Sequence, residues 1–290
     1  MNKKSSPYNT VYSLNNLTGE EHWKFKDGYE HRTPIVIDGN LLYYGDDMVF
    51  TAVNKNTRKI EWNFVDSKMK FSPGVIYNDD IIFGGSQTTF PPAGHGVYSI
   101  NKMTGTIQWT FDGGHKKNND GNDINEDFPN ASCVIGNTVY ASGSFGNVYA
   151  INANTGSLKW KYAYTTDDPR DTPICSDDTV YIGTGVDYKK GVLYAINAKT
   201  GKLKWQYNTE ERASPPYINN GSIYFGSIEY PPYPADPKDY LYALDLQGNI
   251  KWKFEADGYV RSAPIADKGI VYFITESGSL YAINAITGKL

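Results

Sequence analysis

Several things are scarce in this 290-residue chain, and each scarcity excludes a class of protein. No apolar run approaches the roughly 20 residues that a membrane-spanning helix needs. Met1-Asn2-Lys3-Lys4 is followed by polar residues with no apolar core, so no signal peptide is expected in this chain. The net charge of −4 argues against a nucleic-acid partner, which calls for a basic face. The four histidines (His22, His31, His95, His115) show no zinc-ligand spacing, and no serine or cysteine stands in a nucleophile motif. Catalytic residues are therefore assigned to none. The two cysteines, Cys133 and Cys175, fall in segments that open successive repeats. They are read as buried free thiols acting as small apolar residues, with a disulfide as the alternative.

What is abundant is tyrosine (24), glycine (28) and proline (15), a profile of many short strands and little helix. One stretch recurs: VYSLNNLTGEEHW (11–23), VFTAVNKNTRKIEW (49–62), VYSINKMTGTIQW (97–109), VYAINANTGSLKW (148–160), LYAINAKTGKLKW (193–205), LYALDLQGNIKW (241–252) and the truncated LYAINAITGKL (280–290). All six tryptophans (Trp23, Trp62, Trp109, Trp160, Trp205, Trp252) close a copy, at the spacing of a supersecondary unit. Each copy reads as a hairpin, with period-two alternation on both sides of an Asn-x-x-Thr-Gly turn. Arg58 replaces the glycine in the second copy, a cost of about 1 kcal/mol if the left-handed geometry is kept. The sixth turn, Asp245–Asn249, is one residue shorter and is expected to be tighter.

Between the hairpins lies a second repeat, as in RTPIVIDGNLLYYG (32–45) and ASPPYINNGSIYFGS (213–227): a strand opening near proline, a tight turn, and a strand of the Val-Tyr-x-Gly type. With these strands called A and B, and the tryptophan hairpin C and D, the chain reads C–D, five A–B–C–D units, then A–B–C. Four antiparallel strands per unit predict an all-β propeller, either six-bladed or an arc of a seven- or eight-bladed wheel. The expected organisation is a polar lead-in (1–10) and a single propeller domain (11–290).

The Tyr-Ala-x-Asn/Asp-x-x-Thr-Gly-x-x-x-Trp repeat resembles that of the PQQ-like, quinoprotein-type propellers over nearly all of residues 11–290. The resemblance implies tryptophans that pack between neighbouring blades, so the six are expected to be structural. It also implies an extracytoplasmic location, periplasmic or at the cell surface. The family includes quinone-dependent dehydrogenases and non-catalytic scaffolds similar to the outer-membrane assembly lipoprotein. Its dehydrogenases share a vicinal cysteine pair and a metal site of acidic and amide residues. Here the cysteines are 42 positions apart, so neither a PQQ cofactor nor a metal is expected.

Function is expected where the loops are long. A–B and C–D turns are short, whereas every insertion is a B–C or D–A loop: 86–96 with Phe90, 112–129, and 228–239 with Tyr230 and Tyr233. The Asp/Asn-rich 112–129 segment fails as an EF-hand, because Lys116 falls at the first ligand position, and it is read as a solvated acidic loop. Of only five arginines, four (Arg32, Arg170, Arg212, Arg261) stand two or three residues before the proline of strand A, with Lys70 in the same place in another unit. In this family strand A is innermost, so these residues are expected at a channel mouth, partly hydrated and suited to carboxylate or phosphate. The expectation is a monomeric, non-catalytic scaffold binding a protein partner or a small anionic or glycan ligand. The alternatives are a PQQ-dependent dehydrogenase relative and a structural repeat of a larger cell-surface protein.

Overall fold

The computed structural model describes residues 10–26, 33–45, 47–87, 96–117, 121, 123–128, 130–164, 172–186, 190–228 and 239–290. The expected sites Phe90, Tyr230, Tyr233, Arg32 and Arg170 lie outside these residues. The chain divides into two compact units, Met1–Ala131 and Ser132–Leu290. Among the described residues every regular element is a strand, and no helix is long and apolar enough to cross a membrane.

In the first unit, β1 (Val11–Leu14) and β2 (Glu21–Phe25) form a C–D hairpin by themselves. An A–B–C–D meander follows in β3 (Val36–Asp38), β4 (Leu41–Gly45), β5 (Asp47–Asn54) and β6 (Lys59–Phe71). A second comprises β7 (Val75–Tyr77), β8 (Asp80–Gln87), β9 (Gly96–Asn101) and β10 (Ile107–Phe111). The two meanders join into one sheet, because β6 runs on beyond its D segment and Met69–Phe71 pair with Gly85–Gln87 of β8. The connection after β10 carries a small hairpin, β11 (His115–Lys117) with β12 (Asp123–Asn125).

In the second unit, β13 (Asn130–Ile135), β14 (Thr138–Gly143), β15 (Asn147–Asn152) and β16 (Leu158–Ala163) form one four-stranded sheet. The next contains β17 (Ile174–Ser176), β18 (Thr179–Val186), β19 (Lys190–Asn197) and β20 (Leu203–Thr209). The third is built from β21 (Arg212–Ala213), β22 (Tyr217–Asn219), β23 (Ser222–Ile228), β24 (Asp239–Asp245) and β25 (Ile250–Ala256), with β21 and β22 pairing successive parts of β23. The last, β26 (Ile265–Asp267), β27 (Ile270–Ile274) and β28 (Leu280–Asn284), has three strands. This is the A–B–C–D phase expected from the repeat.

The turn chemistry explains why these hairpins close where they do. In the C–D turns the Asn side chain accepts amides two or three residues on, as Asn197 does from Lys199 (3.1 Å) and Thr200 (2.9 Å). The left-handed residue then donates back to the Asn carbonyl, as from Gly201 to Asn197 at 2.8 Å. Arg58 keeps that geometry with φ 61°, donating to the Asn54 carbonyl at 2.7 Å. The shortened turn closes over three residues instead of four, Gly248 donating to the Asp245 carbonyl at 3.1 Å. All six A–B turns have two residues, and the first of each is left-handed, as at Asn78 (φ 52°) and Asp177 (φ 52°). Turns of that hand match the right-handed twist of the paired strands.

The tryptophans are the recurrent lock between blades. Trp62 Nε1 donates to the Lys102 carbonyl, Trp160 to Ala198, Trp205 to Leu246 and Trp252 to Ala285, each at 2.9–3.0 Å. Every acceptor lies in the C–D turn of the following blade. The glycine of that turn sits against the indole: a Cβ at Gly105, Gly201, Gly248 or Gly288 would fall within 3 Å of the ring. The indole also meets a strand-B tyrosine in a tilted contact, as in Tyr43–Trp62 and Tyr140–Trp160, with centroids 6.0 and 5.7 Å apart. Tyr43 and Tyr140 donate to the same carbonyls as their tryptophans. Across the hairpin each tryptophan faces a small residue, such as Ala52, Ser99 or Ala195, and the register shifts next to it. Trp62 and Trp109 are buried, whereas Trp23, Trp160, Trp205 and Trp252 are half-buried.

The glycine of Val-Tyr-x-Gly has a separate cause. The chain leaving strand D crosses directly over strand B of its own blade. A Cβ at Gly84 would lie 2.1 Å from the Phe128 carbonyl oxygen, and one at Gly226 2.3 Å from that of Val260. The residue before the strand-A proline completes the crossing: Ser72 and Ser214 hydroxyls accept from the Gly84 and Gly226 amides at 2.8 Å, as Thr33 does from Gly45. Gly84→Ala should therefore destabilise by about 1–3 kcal/mol through overpacking, read as a lower urea midpoint. An unchanged midpoint would show that the crossing is not tight.

Two expectations are corrected. Cys133 on β13 and Cys175 on β17 are not free thiols but are joined by a disulfide, their Cα atoms 5.9 Å apart and within bridging range. The reason is lateral: opening strands of successive blades lie side by side, although 42 residues separate the two cysteines in sequence. The segment 112–129 is not simply a solvated loop either. Glu126 and Phe128 are fully buried, because this connection is the one that crosses over Gly84.

Candidate binding face

Within each blade the A–B and C–D turns mark one end and the B–C and D–A connections the other. The first end satisfies itself. Lys159 Nζ donates to Asn137 Oδ1 (2.7 Å) and Thr138 Oγ1 (2.6 Å), and Lys204 reaches Asp178 (2.5 Å) and Thr179 (2.7 Å). Lys251 bonds Ser222 at 2.7 Å, and Lys102 pairs with Asp38 at 2.8 Å. The lysine before each of three tryptophans thus clips strand D onto its own A–B turn. Burial pushes the Lys159 amine down, and the Lys204 ammonium holds the Asp178 carboxyl below its usual range. A depression of about 360 Å³ opens at this end of the first unit beside Asp38, Asn54, Glu61 and Met103, where Asn54 already bonds Glu61.

The other end holds buried polar groups. In the second unit Thr209, Arg212, Ser227 and Asp239 are all buried where strands β20, β21, β23 and β24 meet, at the base of the 229–238 connection. Ser227 Oγ accepts from the Tyr240 amide at 2.8 Å, and the Thr209 hydroxyl donates to the Glu211 carbonyl. Lys253 Nζ lies 3.9 Å from the centre of the Tyr240 ring. Burial, followed by the carboxylate of Glu211 and other neighbours, raises the Tyr242 hydroxyl well above the usual phenol range. The first unit repeats the pattern: Tyr98 is pushed up to about 12 by burial and then by Asp66 and Asp112.

The arginines divide at this end. Arg212, at only 7% exposure, is buried on β21, so the expectation of a hydrated, available guanidinium does not hold for it. The D–A connection that carries it is pressed onto β18 and β19, where Gly183 and Gly191 admit the backbone of residues 211–214. Arg261 is partly exposed, its Nε ion-paired with Glu276. Lys70 is exposed on β6, opposite Ser86. The strand-B tyrosines and the hydroxyl-proline pairs were visible in the repeat but carried no role until the crossing was seen.

One acidic group at this end is tightly held. Asp257 accepts hydroxyls from Ser279, Ser277 (2.7 Å) and Thr275 (2.8 Å), which bring its carboxyl down to about 2. A lowered folded-state value means that this contribution is complete above the unfolded value, roughly pH 3.9, and is lost as pH falls towards 2. Asp257→Asn should flatten the acid limb of the stability curve between pH 4 and 2 relative to wild type. Parallel acid limbs would assign the acid sensitivity elsewhere.

Antiparallel four-stranded meanders locked by tryptophan onto the next turn define an all-β propeller of PQQ-like blades. The chain belongs to the family described as outer membrane protein assembly factor BamB, which matches residues 5–184, 93–227 and 189–290. It is 26% identical over 148 residues to tetrathionate hydrolase of Acidithiobacillus ferrooxidans, a match to 44% of this chain and 28% of that protein. The structure is similar to BamB from Moraxella catarrhalis, with TM-score 0.55 and 15% identity over 94% of this chain and 90% of that one. It is also similar to quinohemoprotein alcohol dehydrogenase from Comamonas testosteroni, with TM-score 0.75 and 13% identity over 98% of this chain and 64% of that one. At these identities the likeness is one of fold.

Both cysteines are used in the bridge between β13 and β17, leaving no vicinal pair. Among the described residues no group of three or more His, Cys, Asp or Glu side chains is placed to hold a metal.

Proposed function

We propose that this chain is a binding scaffold that takes a protein partner on the B–C/D–A end of its blades. The observation that carries the reading is the contrast between the ends. One is closed by short turns and lysine clips, while the other carries the long connections, with Thr209, Arg212, Ser227 and Asp239 buried among the strands they leave and enter. Long loops on a rigid base are where binding residues concentrate. The bridge between Cys133 and Cys175, together with the family's outer-membrane description, supports an oxidising, extracytoplasmic setting.

Replacing residues 229–238 by a two-residue turn should leave the melting temperature near wild type yet abolish cross-linked capture of partners from a cell-envelope extract. Identical capture by both proteins, or alcohol oxidation on adding pyrroloquinoline quinone with calcium, would overturn the scaffold reading. An anion-reading mouth is a finer version of the same proposal. With Arg212 buried and Arg261 paired with Glu276, it rests in the first unit on the exposed Lys70. Calorimetry with hexaglutamate and with inorganic phosphate tests it, using Lys70→Gln. No heat at millimolar ligand, or equal heats from both proteins, would remove the anion site and leave the scaffold standing.

A further inference from the structure

One position varies along the repeat in a way that the fold alone does not ask for. The residue before the strand-D tryptophan is Lys159, Lys204 and Lys251 in three blades of the second unit, but Glu61 and Gln108 in the two of the first. Each lysine lays its ammonium on the A–B turn of its own blade. Lys159 reaches Asn137 and Thr138, Lys204 reaches Asp178 and Thr179, and Lys251 reaches Ser222. The repeat thus builds an ammonium seat three times and fills it from within. Gln108 takes no part in one, its amide being turned back onto Thr106.

At Glu61 the sign of the charge is reversed, and strand D brings no ammonium of its own. The depression of about 360 Å³ beside it is lined by Asp38, Asn40, Leu41, Asn54, Glu61 and Met103. Its volume lies at the lower end of ordinary ligand pockets, roughly 300–1,000 Å³. Asn40 stands where Asn137 and Asp178 offer an acceptor to their lysines. Leu41 stands where Thr138, Thr179 and Ser222 do, which exchanges the hydroxyl for an apolar floor. Met103, in the turn after β9, is 61% exposed and adds an apolar wall. The two carboxylates differ in what answers them. The Lys102 ammonium pairs with Asp38 at 2.8 Å and also bonds the Asn78 carbonyl. Glu61 Oε1 accepts from Asn54 Nδ2 at 3.0 Å, and among the described residues no cation pairs with Glu61.

We propose that this depression is a binding site for an alkylammonium group carried on a short apolar stem, as in a lysine side chain or an aliphatic diamine. The ammonium is held by Glu61 and Asn40, and the stem lies on Leu41 and Met103. An ammonium suits the seat because it is a compact charge with three donors, and its bond to a carboxylate is charge-assisted. Long aliphatic cations also bury their stems along apolar surface while the head stays polar. The site is at the short-turn end of the first unit and does not depend on the scaffold reading given for the opposite end.

The test uses the 290-residue protein labelled with carbon-13 at the methionine methyls, where Met103 is one of four probes and fully buried Met69 is an internal control. Nα-acetyl-lysine N-methylamide at millimolar concentration should move the Met103 signal saturably and leave Met69 in place. The uncharged norleucine analogue should bind roughly fivefold more weakly or worse, the worth of one exposed charge pair, and so should the lysine derivative on Glu61→Gln. Glu61→Lys, which restores the residue of the other blades, should remove the shift. Glu61 is exposed, so these substitutions should leave folding intact. Should they misfold, the comparison of lysine and norleucine derivatives on wild-type protein decides alone. Cadaverine separates the two sources of the group: tighter binding than the lysine derivative assigns the site to a free diamine, and weaker binding to a partner's lysine. No saturable shift, or equal binding of the charged and uncharged derivatives, overturns the proposal. So does equal binding by wild type and Glu61→Gln.

Discussion

Trp62→Ala should destabilise the first unit by about 3–5 kcal/mol, the range for deleting a large buried aromatic. Its indole is 8% exposed, lies 6.3 Å from Phe50 and 6.0 Å from Tyr43 between ring centroids, and backs onto Gly105. The truncation removes that packing and also withdraws one of the two donors on the Lys102 carbonyl. Trp62→Phe, which keeps most of the apolar volume, should recover more than half of the loss. Urea unfolding followed by far-ultraviolet circular dichroism checks both. A loss below about 1 kcal/mol for alanine would mean that the neighbouring turn closes over the gap, and the locking role would fall.

Breaking the Cys133–Cys175 bridge should have an effect of similar size in the second unit. Closing a 42-residue separation corresponds to about 4 kcal/mol of restricted unfolded-chain entropy, an amount that depends on the entropic model. Cys175→Ser should lower the melting temperature by several degrees, and dithiothreitol should lower wild type towards the variant without further effect on the variant itself. A wild-type melting temperature indifferent to reductant would show that the bridge adds nothing to the packing of β13 and β17. The two substitutions act in different compact units, so their effects should be separable by residue-level hydrogen exchange.

The fold was legible because its information is local. Asn197 to Gly201 encode a turn, Leu203 to Tyr207 encode an alternating strand, and repetition of both gave strand count and phase. What was not legible depends on chain segments meeting sideways. Nothing near Cys133 marks Cys175 as its neighbour, since that requires knowing how two strands β13 and β17 are aligned across a blade junction. Arg212 looked like a rim residue because its spacing from Pro215 matches that of Arg261 from Pro264. Only the crossing over Gly183 and Gly191 shows that one is covered while the other is partly exposed. Phe128 and Glu126 were hidden in the same way, inside a stretch whose composition is that of a solvated loop. The strand-B glycines could have revealed the crossing, because a glycine at the same point of successive strands asks what approaches it.

The tryptophan lock also makes each indole a witness to its neighbour. Trp160 finds its hydrogen-bond acceptor in the turn after β19, Trp205 in the turn after β24 and Trp252 in the turn after β28. An indole therefore reaches its native surroundings only when the blade that follows it has formed. In a stack whose stability is a sum of nearest-neighbour terms, this gives the chain a built-in direction of reporting. Single-tryptophan variants would read out the order in which blades assemble, each emission band announcing not its own strand but the arrival of the next.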